Sequence, residues 1–501
     1  MTASRTYITT TIPYVNARPH LGFALELVQA DVLARRARQR GEDVRALTGT
    51  DDNSLKNVLA ARAEGVPVRE LVDRNAAAFE ALREPLDLSF DDFIRTSSDP
   101  RHRSGVERLW ELCDARGDLY RKHYSGLYCV GCEQFYAPED LVDGRCPEHG
   151  TEPQLVSEEN WFFRLSRYAD QLRELIGSGR LRIEPASRRN EILSLIDSGL
   201  HDFSVSRSHS RAHGWGIPVP GDPSQVVYVW WDALGNYVTS LGFGTDHPDY
   251  ATWWGGSERR IHLVGKGVIR FHAVYWPAML LSAGLPLPTE ILVHDYLTID
   301  GRKISKSSGA TADPARLVAQ AGTDAVRWWL LREVPRVGDA DFTLERLVER
   351  ANAELAGGLG NLVHRTITMI HKYRGGAVPT ASGGGEALKS AYEEASAAID
   401  EALDDFDFRR ATSAVWRIVD EANRAIDGTR PWELARAERD GDLLATERLD
   451  AALAALHAAC VTLAASLTPF LPSAAELIAA QCTPVDGVLP QSAALFPRIE
   501  V

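Results

Sequence analysis

Two short segments of the chain combine residues that could bind a polyphosphate. His20-Leu21-Gly22 places an imidazole beside a residue without a side chain, and the loop 303–309 holds Lys303 and Lys306 among serines. In a reaction that expels pyrophosphate, negative charge builds up on the leaving group, where cations and hydrogen-bond donors stabilise it without proton transfer. The two segments therefore predict a nucleotide site that works by charge stabilisation.

Each segment also has an ordinary explanation. A histidine beside a glycine at the start of a helix is commonly a satisfied cap, and a lysine-rich run is usually a solvated turn. A solvated turn does not require a matching His-x-Gly segment upstream. The occurrence of both segments in one chain therefore favours the nucleotide site.

Four potential metal ligands are arranged in two pairs further along the sequence. They follow the pattern Cys-x2-Cys-x13-Cys-x2-His: Cys129, Cys132, Cys146 and His149. Each pair can supply two ligands from a tight turn, and together they fill the tetrahedral coordination of Zn²⁺ with no open position for catalysis. The pattern predicts a structural zinc site. The other cysteines are isolated, and six cysteines in 501 residues are too few for a disulfide framework.

The histidine segment lies between predicted elements of a parallel sheet. Residues 7–12 are rich in β-formers, residues 21–40 have a helical pattern that closes at Gly41, and residues 44–48 form a second strand-like run. This order is a βαβ unit, which places the intervening loop at the carboxyl edge of the sheet, where ligands bind. Further strands are predicted at residues 226–230, 261–264 and 290–293. Roughly residues 116–214 therefore interrupt the sheet.

The composition and periodicity of the sequence change after the last predicted strand of the parallel sheet. Residues 296–299 form a strand-like run that ends in Asp300-Gly301, a favoured tight-turn pair directly before the lysine loop. From about residue 344, alanine, leucine, glutamate and arginine recur at helical spacing, broken only by the glycine-rich stretch 374–385. The C-terminal part is therefore predicted to be an all-α domain.

The overall composition is that of a globular multidomain protein, with 45% hydrophobic and 25% charged residues. No apolar run is long enough to span a bilayer, and the first residues lead into a strand rather than a signal-peptide core, so we expect a cytoplasmic protein without a membrane partner. The net charge of −14 excludes a protein that coats nucleic acid by bulk attraction. A local basic surface could still bind RNA.

In their surroundings, the two nucleotide segments resemble the paired signatures of class I aminoacyl-tRNA synthetases, and specifically of the methionyl-tRNA synthetase family. The resemblance covers nearly the whole chain, in the same order. Besides the signatures it includes Pro13-Tyr14-Val15-Asn16, Leu47-Thr48-Gly49-Thr50-Asp51, Tyr228-Val229-Trp230-Trp231-Asp232-Ala233, Gly265-Lys266, Phe271-His272, Trp276-Pro277-Ala278-Met279 and Asp300-Gly301-Arg302-Lys303.

The resemblance implies an α/β fold: a Rossmann-type doubly wound parallel sheet, split by a zinc-bearing connective insertion and followed by an all-α, anticodon-binding-like bundle. The expected bounds are 1–115 and 215–295 for the two halves of the catalytic domain, 116–214 for the insertion, 296–343 for the lysine loop and stem-contact linker, and 344–501 for the bundle. His149 stands where many relatives have a fourth cysteine. The dimerising extension of some relatives does not follow Val501, so we expect a monomer.

The resemblance also implies substrates and site residues. The substrates would be methionine, ATP with Mg²⁺, and a methionine tRNA with a CAU anticodon. His20, Lys303 and Lys306 would act in catalysis, and ATP would be bound by His20, Gly22, Gly265, Lys303, Ser305 and Lys306. Asp51 would bind the α-ammonium group by a charge-assisted hydrogen bond, and the thioether, which aromatic faces contact favourably, would lie among Tyr14, Trp230, Tyr237, Val268, Phe271 and His272.

Three further residues would read the anticodon. They are Asn361 and Arg365, which share a helix face, and Trp432, which offers a stacking surface; single-stranded bases are recognised by stacking and edge hydrogen bonds. Without the resemblance these residues would be ordinary surface and packing residues. Trp230 and Trp231 would likewise be interpreted as core aromatics of a strand.

The sequence departs from the family at three places in the expected active site. Phe23 replaces the last histidine of the His-x-Gly-His signature, and Gly267 replaces the aspartate of a Gly-Lys-Asp motif. Asp51-Asp52-Asn53-Ser54 stands where relatives usually have Asp-Glu-His-Gly. Loss of an imidazole and a carboxylate should weaken triphosphate and ribose contacts by about 1–3 kcal/mol each if nothing compensates.

Three functions therefore remain open from the sequence. The first is a methionine–tRNA ligase. The second is an amino-acid adenylating ligase of secondary metabolism that passes the aminoacyl group to a small amine or hydroxyl acceptor. The third is a catalytically inactive RNA-binding relative, against which the retained His20, Lys303 and Lys306 argue.

Overall fold

The computed structural model describes residues 4–131, 134–148, 150–304, 313–381 and 385–500, without the side chains of Gln134 and Lys303. The chain divides into two compact units. Unit 1 comprises Met1–Ala30, Ala37–Arg83 and Ser89–His294, and unit 2 comprises Asp31–Arg36, Glu84–Leu88 and Asp295–Val501.

Unit 1 carries the strands and helices of the first three fifths of the chain. Its strands are β1 (Arg5–Thr10), β2 (Asp43–Thr50), β3 (Asp92–Arg95), β4 (Leu119–Cys129), β5 (Gln134–Tyr136), β6 (Gln154–Phe163), β7 (Arg182–Glu184), β8 (Phe203–Ser204), β9 (Ser206–Ser208), β10 (Pro218–Val219), β11 (Asp222–Val227), β12 (Arg259–Gly265) and β13 (Glu290–His294). Its α-helices, the first of which continues through residues of unit 2, are α1 (Leu21–Gln39), α2 (Leu55–Glu64), α3 (Val68–Glu80), α4 (Pro100–Ala115), α5 (Ala169–Gly177), α6 (Ala186–Asp197), α7 (Val229–Thr239) and α8 (Trp276–Ala283).

A six-stranded parallel sheet forms the centre of unit 1, in the order β3-β2-β1-β12-β13-β7. β1 pairs with β2 on one side and with β12 on the other, so that Ile8 lies opposite both Ala46 and Ile261. These strands are apolar and buried because helices cover both faces of a doubly wound sheet. The predicted α/β fold is confirmed, and the direction of winding changes between β1 and β12.

The prediction of a sheet strand at residues 226–230 was wrong. β11 ends at Val227 and belongs to a separate antiparallel sheet with β9 and β10, and Trp230 lies in the first turn of α7. Nearly all residues of α7 are buried, so the helix shows no alternation of apolar and polar faces. A short apolar run of this kind cannot be distinguished from a buried strand by its pattern.

The region predicted as an insertion is largely antiparallel. β4 and β6 pair from Leu119 opposite Phe163 to Tyr128 opposite Gln154, with β5 and β8 outside them. β7, which lies within the expected bounds 116–214, instead extends the central sheet next to β13. Part of this region therefore returns to the sheet.

Unit 2 consists mainly of helices. Its strands are β14 (Leu297–Ile299), β15 (Arg302–Lys303) and β16 (Ala340–Asp341). Its α-helices are α9 (Pro314–Ala321), α10 (Thr323–Arg332), α11 (Leu344–Arg350), α12 (Asn361–Arg374), α13 (Glu386–Asp404), α14 (Phe408–Thr429), α15 (Pro431–Arg439), α16 (Leu443–Leu467) and α17 (Pro472–Cys482). On α14 the buried residues recur every three or four positions, as expected for one face of a helix in a bundle, and the predicted helical domain is confirmed.

One helix of the described residues, α16, is long and apolar enough to cross a membrane by length and composition: it has 25 residues, and an 18-residue window within it has a mean hydropathy of 1.6. This differs from the sequence expectation that no such run exists. In the structure 56% of its apolar window is buried, and α16 packs against α13, α14 and α17. Its apolar composition is therefore accounted for by its place inside the bundle.

Candidate active site

The histidine segment follows β1 and Gly265 ends β12, the two adjacent strands at the centre of the parallel sheet. β1 ends at Thr10 and β12 at Gly265, and the two strands are hydrogen-bonded neighbours. A change in winding direction between two parallel strands opens a crevice at their carboxyl ends, which is where open α/β sheets bind ligands. The tertiary structure therefore places these sequence-predicted nucleotide residues at the expected edge.

His20 lies directly before the first residue of α1 and caps this helix. Its Nδ1 accepts a hydrogen bond from the backbone N–H of Gly22 at 3.1 Å, and its carbonyl oxygen accepts from Phe23 and Ala24. A neutral imidazole that accepts at Nδ1 carries its proton on Nε2. The exposed His20 ring can therefore cap the helix and present an N–H donor at a helix N-terminus, where phosphate is favoured.

The residues next to His20 explain two features of the signature. A Cβ atom at Gly22 would lie 3.1 Å from both Cε1 and Nδ1 of the His20 ring, so glycine leaves room for the imidazole. Phe23, which replaces the second histidine, is buried and packs edge-on against Phe79, with ring centroids 5.2 Å apart. This position therefore contributes to packing and not to a polar contact.

The buried carboxylate of Glu26, in α1, forms hydrogen bonds with residues at the ends of β1 and β13, beside this edge of the sheet. Glu26 Oε1 accepts hydrogen bonds from the backbone N–H and the hydroxyl of Thr11, both at 2.6 Å, and Glu26 Oε2 lies 2.8 Å from Nε2 of His294. A Cβ atom at Gly265 would lie 3.5 Å from the His294 ring. The sequence analysis missed Glu26 and His294; their only signal is a polar residue near a helix start and another at the end of a strand.

The expected thioether pocket is built from aromatic rings. Trp230 stacks on Phe271, with ring centroids 3.7 Å apart and planes inclined by 3°. Tyr14 approaches Trp230 edge-on at 6.4 Å, held by a bridge to Asp51 in which the backbone N–H of Asp51 donates to Pro13. Phe271 lies on a π-helical turn, Phe271–Tyr275, a distortion often found at functional sites. Residues from separate segments of the chain thus form one apolar surface.

Tyr237, His272 and Val268 form a hydrogen-bonded chain beside these rings. His272 Nδ1 lies 2.9 Å from the carbonyl oxygen of Val268, and His272 Nε2 lies 2.7 Å from the Tyr237 hydroxyl. Because a carbonyl can only accept, Nδ1 carries the proton and Tyr237 donates to Nε2. Burial lowers the pKa of His272 to about 4, which keeps the ring neutral near pH 7. The pocket therefore holds its polar groups without a net charge.

A second buried histidine, His262, supports Tyr237 and was missed from the sequence. Its ring centroid lies 4.2 Å from that of Tyr237. Nε2 accepts from the indole N–H of Trp276 at 3.2 Å, so Nδ1 carries the proton and lies 2.6 Å from the hydroxyl of Thr9. Burial also holds the pKa of His262 well below its usual value. Being a strand residue, His262 resembles an ordinary core position in the sequence.

Asp51, the expected ligand of the ammonium group, is buried at the end of β2. Its Oδ1 accepts the backbone N–H of Asn53 at 3.2 Å. The amide of Asn57 donates to the carbonyl oxygens of Asp51 and Asp52, at 3.0 and 2.9 Å. Hydrogen bonds from Asn53 and from Asn57 in α2 therefore hold the loop that carries the Asp51 carboxylate.

Two of the departures from the family motif have structural partners in this loop. Asp52 Oδ2 accepts from Ser97 at 2.8 Å and from Arg95 at 3.0 Å; burial raises its pKa, and the Arg95 guanidinium opposes that rise. Ser54 caps α2, because its side chain accepts the backbone N–H of Lys56 at 3.1 Å. Both side chains thus hold the loop in place.

The lysine loop is described only in part. β14 and β15 form a hairpin in which Asp300 and Gly301 have φ angles of 53° and 68°, as a type I′ turn requires. This confirms the predicted turn. Lys303 is the last residue of β15, with its side chain outside the description, and Ser305 and Lys306 lie outside the described residues.

Two of the four expected zinc ligands can be located. Cys129 and Cys146 are buried in one small cluster with Tyr136, against which Leu141 packs. Cys146 Sγ lies 3.7 Å from the Tyr136 hydroxyl, and Cys129 Sγ lies 3.8 Å from that of Thr151. Cys132 and His149 lie outside the described residues, and the remainder of the described chain holds no group of three or more potential metal ligands. The two thiols therefore lie in the same buried cluster.

The expected anticodon residues lie in unit 2. Asn361 is exposed at the first position of α12, and the Arg365 guanidinium lies 3.8 Å from the carboxylate of Asp427 near the end of α14. Trp432, at the second position of α15, is 45% exposed, which is unusual for so large an apolar side chain. The ion pair brings Arg365 to the segment that leads into Trp432.

Comparisons with known proteins agree with this geometry. The sequence model of the class I tRNA synthetases (M) matches residues 6–154 and 136–367. The chain is 44% identical over 445 residues to the methionine–tRNA ligase of Brucella suis biovar 1, covering 87% of this chain and 85% of that protein.

Solved structures of Mycobacterium tuberculosis methionyl-tRNA synthetase are also similar. The complex with methionyl-adenylate is 37% identical with a TM-score of 0.93, covering 99% of this chain and 100% of that chain. The free state is 35% identical with a TM-score of 0.86, covering 100% of this chain and 99% of that chain. The signatures, the sheet edge at which they lie and these similarities lead to one conclusion: the chain belongs to the methionyl-tRNA synthetase family of class I tRNA synthetases.

Proposed function

We propose that this protein is a methionine–tRNA ligase, which activates methionine with ATP to methionyl-adenylate and transfers the methionyl group to methionine tRNA. The observation that carries the proposal is the aromatic pocket of Trp230, Phe271 and Tyr14 beside the buried carboxylate of Asp51. A flat, polarizable surface suits a thioether, and a carboxylate at its end suits an α-ammonium group.

The pocket would select methionine by shape and by the absence of net charge. Tyr237, His272 and Val268 pair their polar groups with one another, so these residues offer no ionic partner to a charged amino-acid side chain. A charged side chain would also lose its hydration on entering an apolar site, which costs several kcal/mol. We propose Tyr14, Trp230, Tyr237, Val268, Phe271 and His272 as the residues that contact the methionine side chain.

Activation requires the methionine carboxylate to attack the α-phosphorus of ATP, with pyrophosphate as leaving group. We propose that His20 donates from Nε2 to the phosphates and that Lys303 and Lys306 stabilise the charge that develops on the pyrophosphate. Gly22 leaves space for this approach, and Gly265 and Ser305 complete the nucleotide site. Alignment of the reactants and charge stabilisation supply the rate, so no protein group needs to form a covalent bond.

Two metal ions belong to the proposal. Mg²⁺ bound with ATP would neutralise part of the phosphate charge. Zn²⁺ would be held by Cys129, Cys132, Cys146 and His149, where it stabilises the fold of the antiparallel region and takes no part in the chemistry. The burial of Cys129 and Cys146 in one cluster supports this assignment.

About one zinc per chain should co-purify with the protein, and a Cys146→Ala variant should lose it. A zinc-free, fully folded wild-type protein would contradict the site.

Transfer to tRNA is proposed to depend on the anticodon residues of unit 2. Asn361, Arg365 and Trp432 combine hydrogen-bond donors with an exposed ring, which is the combination that reads unstacked bases.

We further propose that the enzyme is monomeric and cytoplasmic. Light scattering of the purified protein would test the first property, and cell fractionation would test the second.

The decisive experiment measures ATP–pyrophosphate exchange with each of the common amino acids in turn. It is followed by an assay for charging of methionine tRNA. We expect exchange with methionine alone, and charging of that tRNA. Exchange without charging would favour the ligase of secondary metabolism, and tRNA binding without any exchange would favour the inactive relative.

Lys306→Ala should lower the exchange rate far more than methionine binding, and an equal effect on both would contradict its assigned role.

A further inference from the structure

A buried polar network lies beneath the amino-acid pocket and connects residues far apart in the sequence. His102 and Asp232 are almost completely buried, and Nε2 of His102 makes a short hydrogen bond to Asp232 Oδ1. His102 Nδ1 lies 2.8 Å from the hydroxyl of Thr239. The second oxygen, Asp232 Oδ2, accepts the side-chain amide of Asn53 at 2.6 Å. Each carboxylate oxygen of Asp232 therefore has its own partner.

Asn53 connects this network to the expected ammonium ligand. Its side-chain amide donates to Asp232 and also lies 3.3 Å from the carbonyl oxygen of Thr96, while its backbone N–H donates to Asp51 Oδ1. With its side chain held at two points, Asn53 cannot rotate without breaking a hydrogen bond to a buried carboxylate. The orientation of its backbone N–H, and with it the orientation of the Asp51 carboxylate, is thereby restricted.

Asp232 also belongs to the wall of the thioether pocket. It lies in the first turn of α7, the helix that carries Trp230 and Tyr237. The carboxylate of Asp232 thus links α7, the helix of the aromatic residues, to the loop that carries Asp51. A carboxylate taken out of water is tolerated only with full hydrogen bonding, so the loss of one partner should be transmitted to the others.

We propose that His102, Asp232 and Asn53 form a positioning relay that orients the Asp51 carboxylate toward the α-ammonium group of the amino-acid substrate. This inference rests on the proposed function, since it assigns the relay to the same pocket. The donor to Asp232 is the side-chain amide of Asn53, whose hydrogen-bonding capacity does not change with pH. The three residues act through Asp51 and do not touch the substrate themselves.

The test uses ligands that differ in the group that the relay serves. Both ligands contain the thioether: methioninol retains the ammonium group and has a hydroxymethyl group in place of the carboxylate, whereas 4-(methylthio)butanoate lacks the ammonium group and retains the carboxylate. Binding of each to wild type and to Asn53→Ala is measured by calorimetry without ATP. We expect about a tenfold weaker affinity for methioninol in the variant, the size expected for loss of one hydrogen bond to a charged group, and less than a twofold change for 4-(methylthio)butanoate.

A matched control is Asn160→Ala in β6, which also removes a side-chain amide that donates to a carboxylate, Glu158, at 2.9 Å. It should leave both affinities at the wild-type level. A second variant, His102→Asn, breaks the far end of the relay and should weaken methioninol binding selectively. Thermal unfolding midpoints of all variants verify that they are folded.

Two results would overturn the relay. Equal weakening of both ligands in Asn53→Ala would mean that Asn53 only maintains the shape of the pocket, and unchanged methioninol binding would mean that Asp51 is oriented without it. Failure of the proposed function has a different signature: wild type would give no methionine-dependent exchange, while the difference between the two ligands in Asn53→Ala would persist.

Discussion

The imidazole of His20 has two nitrogen atoms with different roles. Nδ1 accepts the N–H of Gly22 and caps α1, and this is the ordinary explanation that a His-Gly pair invites. The same hydrogen bond leaves the proton on Nε2, which makes the ring a donor. Capping and phosphate binding are therefore compatible in one side chain, and a substitution that preserves only one of them can separate the two.

His20→Asn should separate these roles. Asparagine caps helices well, so the thermal unfolding midpoint should stay near that of wild type, whereas the lost Nε2 donor should lower kcat of pyrophosphate exchange by about 100-fold. His20→Ala should lower both. If His20→Asn exchanged at the wild-type rate, His20 would be a cap and nothing more.

The neutral state of His272 should appear in the pH dependence of stability. Its pKa is about 4 in the folded protein and about 6.5 in an unfolded chain, so between these values the unfolded chain binds one more proton. The free energy of unfolding should therefore fall with decreasing pH in this window, by about 1.4 kcal/mol per pH unit from this residue, with no further loss below the folded pKa.

Urea unfolding of wild type and His272→Gln between about pH 6 and pH 4.5 tests this, since the variant lacks the titrating group and should show a shallower slope. The exposed His201 provides the control, and His201→Gln should keep the wild-type slope. Equal slopes for wild type and His272→Gln would contradict a neutral, buried His272.

At the scale of elements, the distance between α4 and α7 decides whether the His102–Asp232 pair can form. Gly105 lies on the face of α4 that meets α7, where a Cβ atom would lie 2.4 Å from Cγ2 of Thr239 and 2.6 Å from the carbonyl oxygen of Phe243. Glycine at this position permits the close approach of the two helices.

Gly105→Ala should therefore push α4 away from α7 and lower the free energy of unfolding by about 1–3 kcal/mol, the usual cost of overpacking. Gly177→Ala, at the end of α5, is the matched control, because a Cβ atom there meets nothing within 4 Å. The control should be neutral or more stable by up to about 1 kcal/mol, since alanine favours the helix. Equal effects of both substitutions would exclude close packing as the cause. Denaturant unfolding measures both.

At the scale of the whole molecule, the proposed methionine-binding residues and the anticodon residues lie on different units. The proposed methionine ligands belong to unit 1, and Asn361, Arg365 and Trp432 belong to unit 2. A net charge of −14 means that RNA must be bound by local features rather than by the overall field. Substitutions of the anticodon residues should therefore affect charging and leave adenylate formation intact.

Trp432→Ala should lower kcat/KM for tRNA charging by about tenfold or more, as expected for one lost base-stacking contact of about 1–3 kcal/mol. Pyrophosphate exchange should keep its wild-type rate, because it does not require tRNA. Leu443→Ala removes a 79% exposed apolar side chain from the same unit and should leave both assays unchanged. A parallel loss of exchange in Trp432→Ala would indicate general damage rather than loss of anticodon binding.

The sequence by itself determined the features that depend on neighbouring residues. The first βαβ unit, the turn at Asp300-Gly301 and the helical C-terminal region follow from local pattern and turn chemistry, and each was confirmed. The signatures identified the family, while the individual roles of the site residues, including the zinc ligands, stay predictions.

Only the tertiary structure decided how the polar interior is paired. Asn53 meets Asp232 across 179 positions of sequence, His102 meets Asp232 across 130, and Glu26 meets His294 across 268. It also placed Trp230 on a helix, where the sequence predicted a strand. Hydrogen bonds between distant buried residues leave no periodicity in the sequence, and a helix that is buried on all sides has no amphipathic pattern, so folding alone brings these side chains together.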